Sequence, residues 1–387
     1  MRHDSEFIIS RMKIRLHVLS PVHIGCGEVY EPTSFVIDPD KNVLISFDPI
    51  EFIRLLDRNE KSELMKITSK GTISSIIELY RFISNKRHKI KGREILAAGD
   101  IVKRYSEVKA LRINNERQLK QELNKFEINR TAFNPADNKP YIPGSSLKGA
   151  LRTGYLSMLA CAGGDTEELH RFVFDPDYKP LHPVVEKKKA SALETELLGG
   201  SFNNDPFRFI KVSDLLPVNG SIRTQILYAI NWKKDSDKQG RGPSQIFEVL
   251  LQGSVFEGNL TIQQPLKESK IASPIEQNLF LRSVHKHYAR VYKKEKEVVE
   301  KRGFKMPKLG KFSERQKKDI FLVRVGRHSG AEAVTIEGNR NIRIMQKRGM
   351  PSMHLDHATT IWLASDKSRP VNSKDLLPLG WVVLEVV

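Results

Sequence analysis

The sequence predicts an α+β protein of two domains, and three observations carry that expectation. Stretches with the two-residue period of strands alternate with stretches at helical spacing, and no Gly-x-Gly-x-x-Gly fingerprint marks a dinucleotide-binding sheet. At 387 residues the chain exceeds what one core of ordinary size takes up. The second half also repeats the first in outline: strands, a helical stretch, then strands. A Gly, Asn and Asp cluster from Gly199 to Pro206 is the expected boundary, which gives domains of residues 1–200 and 201–387.

The first strand is expected over Met12 to Ser20, where Ile14, Leu16 and Val18 alternate with Lys13, Arg15 and His17 and Pro21 ends the run. The loop Pro21 to Gly27 precedes short strands at Ser34 to Ile37 and Val43 to Ser46. Asp48-Pro49-Ile50-Glu51 reads as a helix start, with Asp48 as N-cap and Pro49 in the first turn. Polar helices at Ile50 to Arg58, Ile73 to Ser84 and Asn115 to Phe126 then read as a helical insertion, about 50–130, without a core of its own. Pro143-Gly144 turns into a helix whose Leu147, Ala150, Leu151, Tyr155, Met158 and Leu159 share one face, with Ser145 or Ser146 as cap. Strands follow at Phe207 to Ser213, Ile222 to Ile230 and Gln245 to Gln263, with a polar loop over 233–243, the stretch most suited to local disorder. A helix from Leu279 to about Arg302 precedes strands at Ile320 to Val325, Thr360 to Ala364 and Trp381 to Val387.

Charge narrows the partners. There are 64 Lys and Arg against 46 Asp and Glu, a net +18, which favours a polyanion. No run approaches the roughly 18–20 apolar residues of a membrane span, and the first residues lack a signal peptide's apolar core, so a cytoplasmic protein is expected. A membrane-surface role is disfavoured by the small apolar face that Val298, Val299 and the tyrosines would give the basic helix. Cys26 and Cys161 stand far apart and form neither a disulfide framework nor a zinc knuckle.

The segment most suited to an anion is the helix start at Gly144. Lys148 and Arg152 lie four residues apart on one face, above backbone amides that carry the positive end of the helix dipole, and Gly144 and Gly149 allow close approach. The spacing is not that of a Walker loop. The string Ile142-Pro143-Gly144-Ser145-Ser146-Leu147-Lys148-Gly149-Ala150-Leu151-Arg152 resembles the glycine-rich signature of RAMP proteins, the repeat-associated subunits of type III CRISPR complexes. Leu19 to Gly27 resembles that family's first-strand element, and Asp205 to Asp214, Gly253 to Thr261 and Val325 to Ile336 resemble its later blocks. Within the family the sequence most resembles the fifth subunit of the type III-A (Csm) complex.

That resemblance implies tandem ferredoxin-like (RRM-like) domains, contact with crRNA through glycine-rich loops, and packing against the neighbouring RAMP backbone subunit. It implies a non-catalytic, crRNA-binding cap at the crRNA 3′ end, open to host nucleases that trim the guide. The expected contacts are His23, Gly25, Gly144, Ser145, Ser146, Lys148, Gly149 and Arg152 in the first half, and Arg327 and His328 in the loop Gly326 to Gly330. The segment 282–318, with fourteen Lys and Arg against four Glu, is expected as a basic arm contacting RNA through Arg282, Lys286 and Arg290.

The alternative is a metal-independent endoribonuclease with His23 as general base, for which the sequence offers no second acid-base partner. Asp38 stands near the position of the backbone subunit's target-cleaving aspartate, but Asp-Pro also opens turns. Gly163-Gly164-Asp165-Thr166, His3-Asp4 and His354-Leu355-Asp356-His357 resemble metal or nuclease motifs without the remaining ligands. No metal and no cofactor is therefore expected.

Overall fold

The opening strand, Ile9–Val18, has neighbours taken from far along the chain. It pairs antiparallel with Val255–Gln263 on one side and Trp381–Val386 on the other. Its alternation dictates this: Ile14, Leu16 and Val18 are buried, while Lys13 and Arg15 reach across to Glu257 at 2.7 and 2.9 Å and His17 to Glu385 at 2.7 Å. In this computed structural model the described residues are 9–112, 115–180, 188–200, 202–240, 242, 244–265, 269, 271, 274–314, 319–344, 349–371 and 376–387. His3-Asp4 and residues 315–318 of the basic segment lie outside them.

Taken in chain order, the elements around that strand form a ferredoxin-like unit. Strand Ile9–Val18, helix Gly144–Cys161, strands Ile210–Val212 and Val255–Gln263, helix Gln277–Lys301 and strand Trp381–Val386 make a β-α-β-β-α-β series. In the sheet the last and first strands lie side by side, followed by Val255–Gln263 and Ile210–Val212, with Ile320–Arg324 added at the far edge. The two helices cross where Gly154 lets the backbone approach, since a Cβ there would stand 3.1 Å from Val284 Cα. Tyr155, Phe207 and Phe280 fill the space beneath with ring centroids 5.6–5.9 Å apart.

Among the described residues a second sheet of nine strands is assembled from segments looped out of the first. Its order runs Gly25–Val29, Ile128–Thr131, Gln245–Leu250, Thr224–Lys233, Arg93–Ala97, Val43–Ser46 and Phe35–Asp38, with Thr360–Ser365 also on Thr224–Lys233. The α+β, ferredoxin-like expectation therefore holds. The expected division at residue 200 does not follow the strands, because both sheets draw on residues before and after it. Gln245 to Gln263, read as one strand, is two: Gly253, at φ +90°, turns the chain out of one sheet and into the other.

The insertion is also richer than expected. Asp48 does cap the helix Pro49–Arg54, accepting from Ile50 N at 2.7 Å. Helices Arg58–Thr68 and Gly99–Ala110 and strands Arg93–Ala97 and Ile128–Thr131 were not read, and the region has its own core around Val36, Phe47, Phe52, Phe82 and Ile83. Among the described residues no helix is long and apolar enough to cross a membrane. The tight helix crossing makes a testable point: Gly154→Val should lower unfolding free energy by about 1–3 kcal/mol through overpacking against Val284 and Tyr288, measured by urea denaturation.

Candidate RNA interface

Two of the loops singled out in the sequence meet in space. The Arg327 amide donates to the His23 carbonyl at 2.8 Å, and a Cβ on Gly326, at φ +88°, would stand 2.5 Å from that same oxygen. Gly380 N donates to Pro21 O at 2.9 Å and closes the junction from the last strand. Glycine is thus required where three backbones press together. From this junction Arg327 projects into solvent, with Asn129 Oδ1 at 3.5 Å, beside the exposed edge residues Gly25, Cys26, Gly27 and Glu28.

His23 itself is not a surface contact. Its ring is buried, stacked on Phe247 at 4.6 Å, and its Nδ1–H donates to Glu248 O at 2.8 Å. Burial pushes its pKa down to about 4, opposed by the hydrogen bond to the Glu248 backbone and reinforced by the charge of Arg327. A neutral, enclosed imidazole neither stacks on an RNA base nor reaches a scissile phosphate, so the RNA-binding expectation for His23 is corrected. His328 continues the column. At φ +65° it stacks on Phe247 at 5.5 Å and on Trp362 at 4.0 Å, half-buried, with its pKa also lowered to about 4 by burial.

The glycine-rich helix start differs from expectation in detail. Pro143, not a serine, is the N-cap, and the Gly144 amide is taken by Asp214 Oδ1 at 2.8 Å, so a carboxylate from the adjoining loop already sits at the helix N-terminus. Gly144 has to be glycine, because a Cβ would collide with Val212 O. Arg152 is not available to a phosphate: its guanidinium binds Glu194 at 2.8 Å and Asp205 at 2.8 Å over the face of Phe207. Lys148 has no hydrogen-bond or ion-pair partner among the described residues. Burial, offset by Asp205 and reinforced by Arg152 and Lys211, lowers its pKa. Ser145 and Gly149 are exposed and Ser146 half-buried beside it.

The basic arm is a second correction. Helix Gln277–Lys301 is a core element, with Leu279, Phe280, Leu281, Val284, Tyr288 and Val291 buried. The three cations expected to contact RNA face protein: Arg282 lies over Phe321, Lys286 donates to Phe172 O and covers that ring, and Arg290 pairs with Glu337 at 3.3 Å, while Lys293, Lys294 and Lys296 further along are exposed. Count and charge suggested an arm, whereas the apolar spacing inside the same run buries it. Asp38 accepts from Asp40 N at 3.0 Å in its own turn. Asp165 caps helix Thr166–Phe174, and His357 pairs with Asp356 at 2.6 Å on the surface.

Sequence reasoning missed a cluster on the other face of the second sheet. Glu248 is fully buried, held by Tyr30 Oη at 2.9 Å and by Arg93, while Arg130 lies 3.5 Å over Phe133 and 4.9 Å over Tyr30. The available signal was one acid in the apolar run Gln245 to Leu250, which must find a cation if that run is buried.

The ferredoxin-like sheet, with its glycine-flanked loops crowded at one junction beside an exposed Arg327, defines the fold class of this α+β chain. The chain belongs to the RAMP superfamily, whose family model matches residues 15–329. It is similar to the CRISPR system Cms protein Csm5 of Methanocaldococcus jannaschii, 26% identical over 212 residues, which is 55% of this chain and 44% of that protein. The protein of the same name from Streptococcus thermophilus is 28% identical over 210 residues, 53% of this chain and 51% of the relative. The chain thus spans about half the length of the curated relatives it matches. Among solved structures, a chain of a Csm-crRNA-target RNA ternary complex of a type III-A system shares the fold with TM-score 0.55 at 18% identity, over 97% of this chain and 100% of that one. The T. onnurineus Csm5 crystal structure gives 0.51 at 17% identity, over 95% and 99%.

Two outcomes test the local reading. The lowered pKa of His23 and His328 means that the unfolded chain binds more protons than the folded one between about pH 4 and the ordinary 6.5. Their contribution is full above pH 6.5 and lost as the pH falls through about 4, so the urea midpoint should drop over that window, and less steeply in His23→Gln. Arg152→Ala, which strands two carboxylates, should cost on the order of 1–2 kcal/mol in the same assay at neutral pH.

Proposed function

We propose that this chain is a non-catalytic crRNA-binding subunit of a type III-A CRISPR interference complex, capping the filament at the crRNA 3′ end and supporting crRNA maturation. The observation that carries this reading is the junction of the Pro21 to Gly27 and Gly326 to Gly330 loops, which exposes Arg327 beside a bare strand edge. Backbone amides, glycines and one projecting guanidinium suit a phosphate backbone read without regard to base. Lys148, with Ser145 and Gly149 exposed beside it, adds a second contact. The relatives named for Csm complexes and the fold shared with a chain of a crRNA-bound assembly support the same assignment.

Its partners are then crRNA and the neighbouring RAMP backbone subunit, with host nucleases trimming the exposed 3′ end, in the cytoplasm. A head-to-tail filament ends where a subunit lacks one of its two complementary faces. The nine-stranded sheet is bulk beyond the ferredoxin-like unit and suits such a terminal position. The endoribonuclease reading draws less support, since it needs His23 at the surface and basic near neutrality, while the imidazole is enclosed and its pKa lies at about 4.

Native mass spectrometry of the complex purified through a tagged neighbour should find one copy of this chain, and a deletion strain should assemble the remaining backbone with crRNAs that keep untrimmed 3′ ends. Several copies repeated along the filament would make it a backbone subunit instead. Repeat RNA cleaved by the purified chain, with activity lost in His23→Gln, would favour the endoribonuclease.

A further inference from the structure

On the face of the second sheet opposite the ring column lies a cleft of about 550 Å³, between the hairpin Phe35–Ser46, the segment Lys91 to Arg93 and the loop after strand Ile128–Thr131. Its walls carry Lys91, Arg93 and Arg130. Gly92 sets the depth: a Cβ there would collide with Ser46 O, so only glycine lets the Lys91 to Arg93 backbone press against the hairpin. Arg130 is held ready, its guanidinium lying between the rings of Phe133 and Tyr30.

Two features show a cation site short of acceptors. Arg93 spends Nη2 on Glu248 and Thr224, yet its Nη1 is buried with no partner, and so is Nε of Arg130. Each such donor costs about 1–3 kcal/mol until an acceptor arrives. Lys91 is exposed and has no partner among the described residues. The acids at the rim are already engaged, Asp48 as helix cap to Ile50 N at 2.7 Å and Asp137 with Lys139 at 3.5 Å. Glu248 is sealed beneath and neutralises Arg93 alone.

We propose that this cleft seats one phosphodiester group of single-stranded RNA, gripped by Lys91 and Arg130 with Arg93 behind them. The proposal rests on the RNA-binding reading above and adds a contact that the glycine loops do not contain. The two regions are neighbours: Cys26 Sγ contacts Arg130 O at 3.4 Å, and Gly25–Val29 pairs with Ile128–Thr131, so a strand crossing the bare edge from Arg327 meets the cleft next.

Anisotropy of a labelled short oligouridylate with the full chain tests this across a salt series, comparing wild type, Lys91→Ala with Arg130→Gln, and Arg327→Ala. The double variant should bind about tenfold more weakly at low salt, and its slope of log affinity against log salt should flatten by about 0.7, the value for one phosphate of a single strand. Lys91→Ala alone, which disturbs no packed side chain, should move the same way by less. Inorganic phosphate should raise the thermal midpoint of wild type but not of the double variant, and RNA should displace it. If Arg327→Ala weakens RNA binding while a folded double variant keeps wild-type affinity and slope, the cleft is rejected and the proposed function stands. If phosphate binds the cleft but RNA never displaces it, the site takes a free anion and the proposal is overturned. If wild type binds no RNA, the function and the cleft fall together.

Discussion

The carboxylate of Glu248 is fully enclosed, and much of the second sheet is arranged around that fact. A buried charge is tolerable only when it is paired and its remaining lone pairs are filled. Arg93 meets that need from strand Arg93–Ala97 and Tyr30 from just past strand Gly25–Val29, and the backbone carbonyl of Glu248 accepts from the His23 imidazole. One side chain therefore fixes the relative positions of Tyr30, Arg93 and Gln245–Leu250, and its own carbonyl fixes the loop on the opposite face. The glycine junction and the cationic cleft are two sides of one tie.

The two faces divide the chemistry. On one, His23, Phe247, His328 and Trp362 form a column of rings whose imidazoles burial keeps neutral, with the charge of Arg327 beside them. On the other, cations are fixed by ring contacts and one sealed acid. Both faces place fixed positive groups beside closely approaching backbone.

How much of this could be read in the sequence depended on the range of the interaction. Local signals were legible: the alternation of Ile14, Leu16 and Val18, the Asp48-Pro49 cap and the glycine-rich helix start at Gly144. Helix Gly99–Ala110 had the spacing, with Ile101, Val102, Tyr105 and Val108 buried, but Ala98 gives no cap signal. Strand Arg93–Ala97 buries only Ile95 and Ala97, too little to stand out. The division at residue 200 does not coincide with the strand pairing, because strand partners are taken from both sides of it. Arg152 and the cations of helix Gln277–Lys301 misled for one reason: a positive side chain looks the same in sequence whether it faces a phosphate or a carboxylate of its own protein.

The opening strand also sets a timetable. Residues 9–18 leave the ribosome well before one of their two neighbours, Trp381–Val386. The ferredoxin-like sheet therefore cannot close until that strand has emerged, and the loop-closure entropy of the long segment between them has to be met in one step. Until then Ile14, Leu16 and Val18 wait with one strand edge open, a state that invites pairing with other nascent chains. A protein built this way gains from slow release, a chaperone, or an early partner that shields the edge.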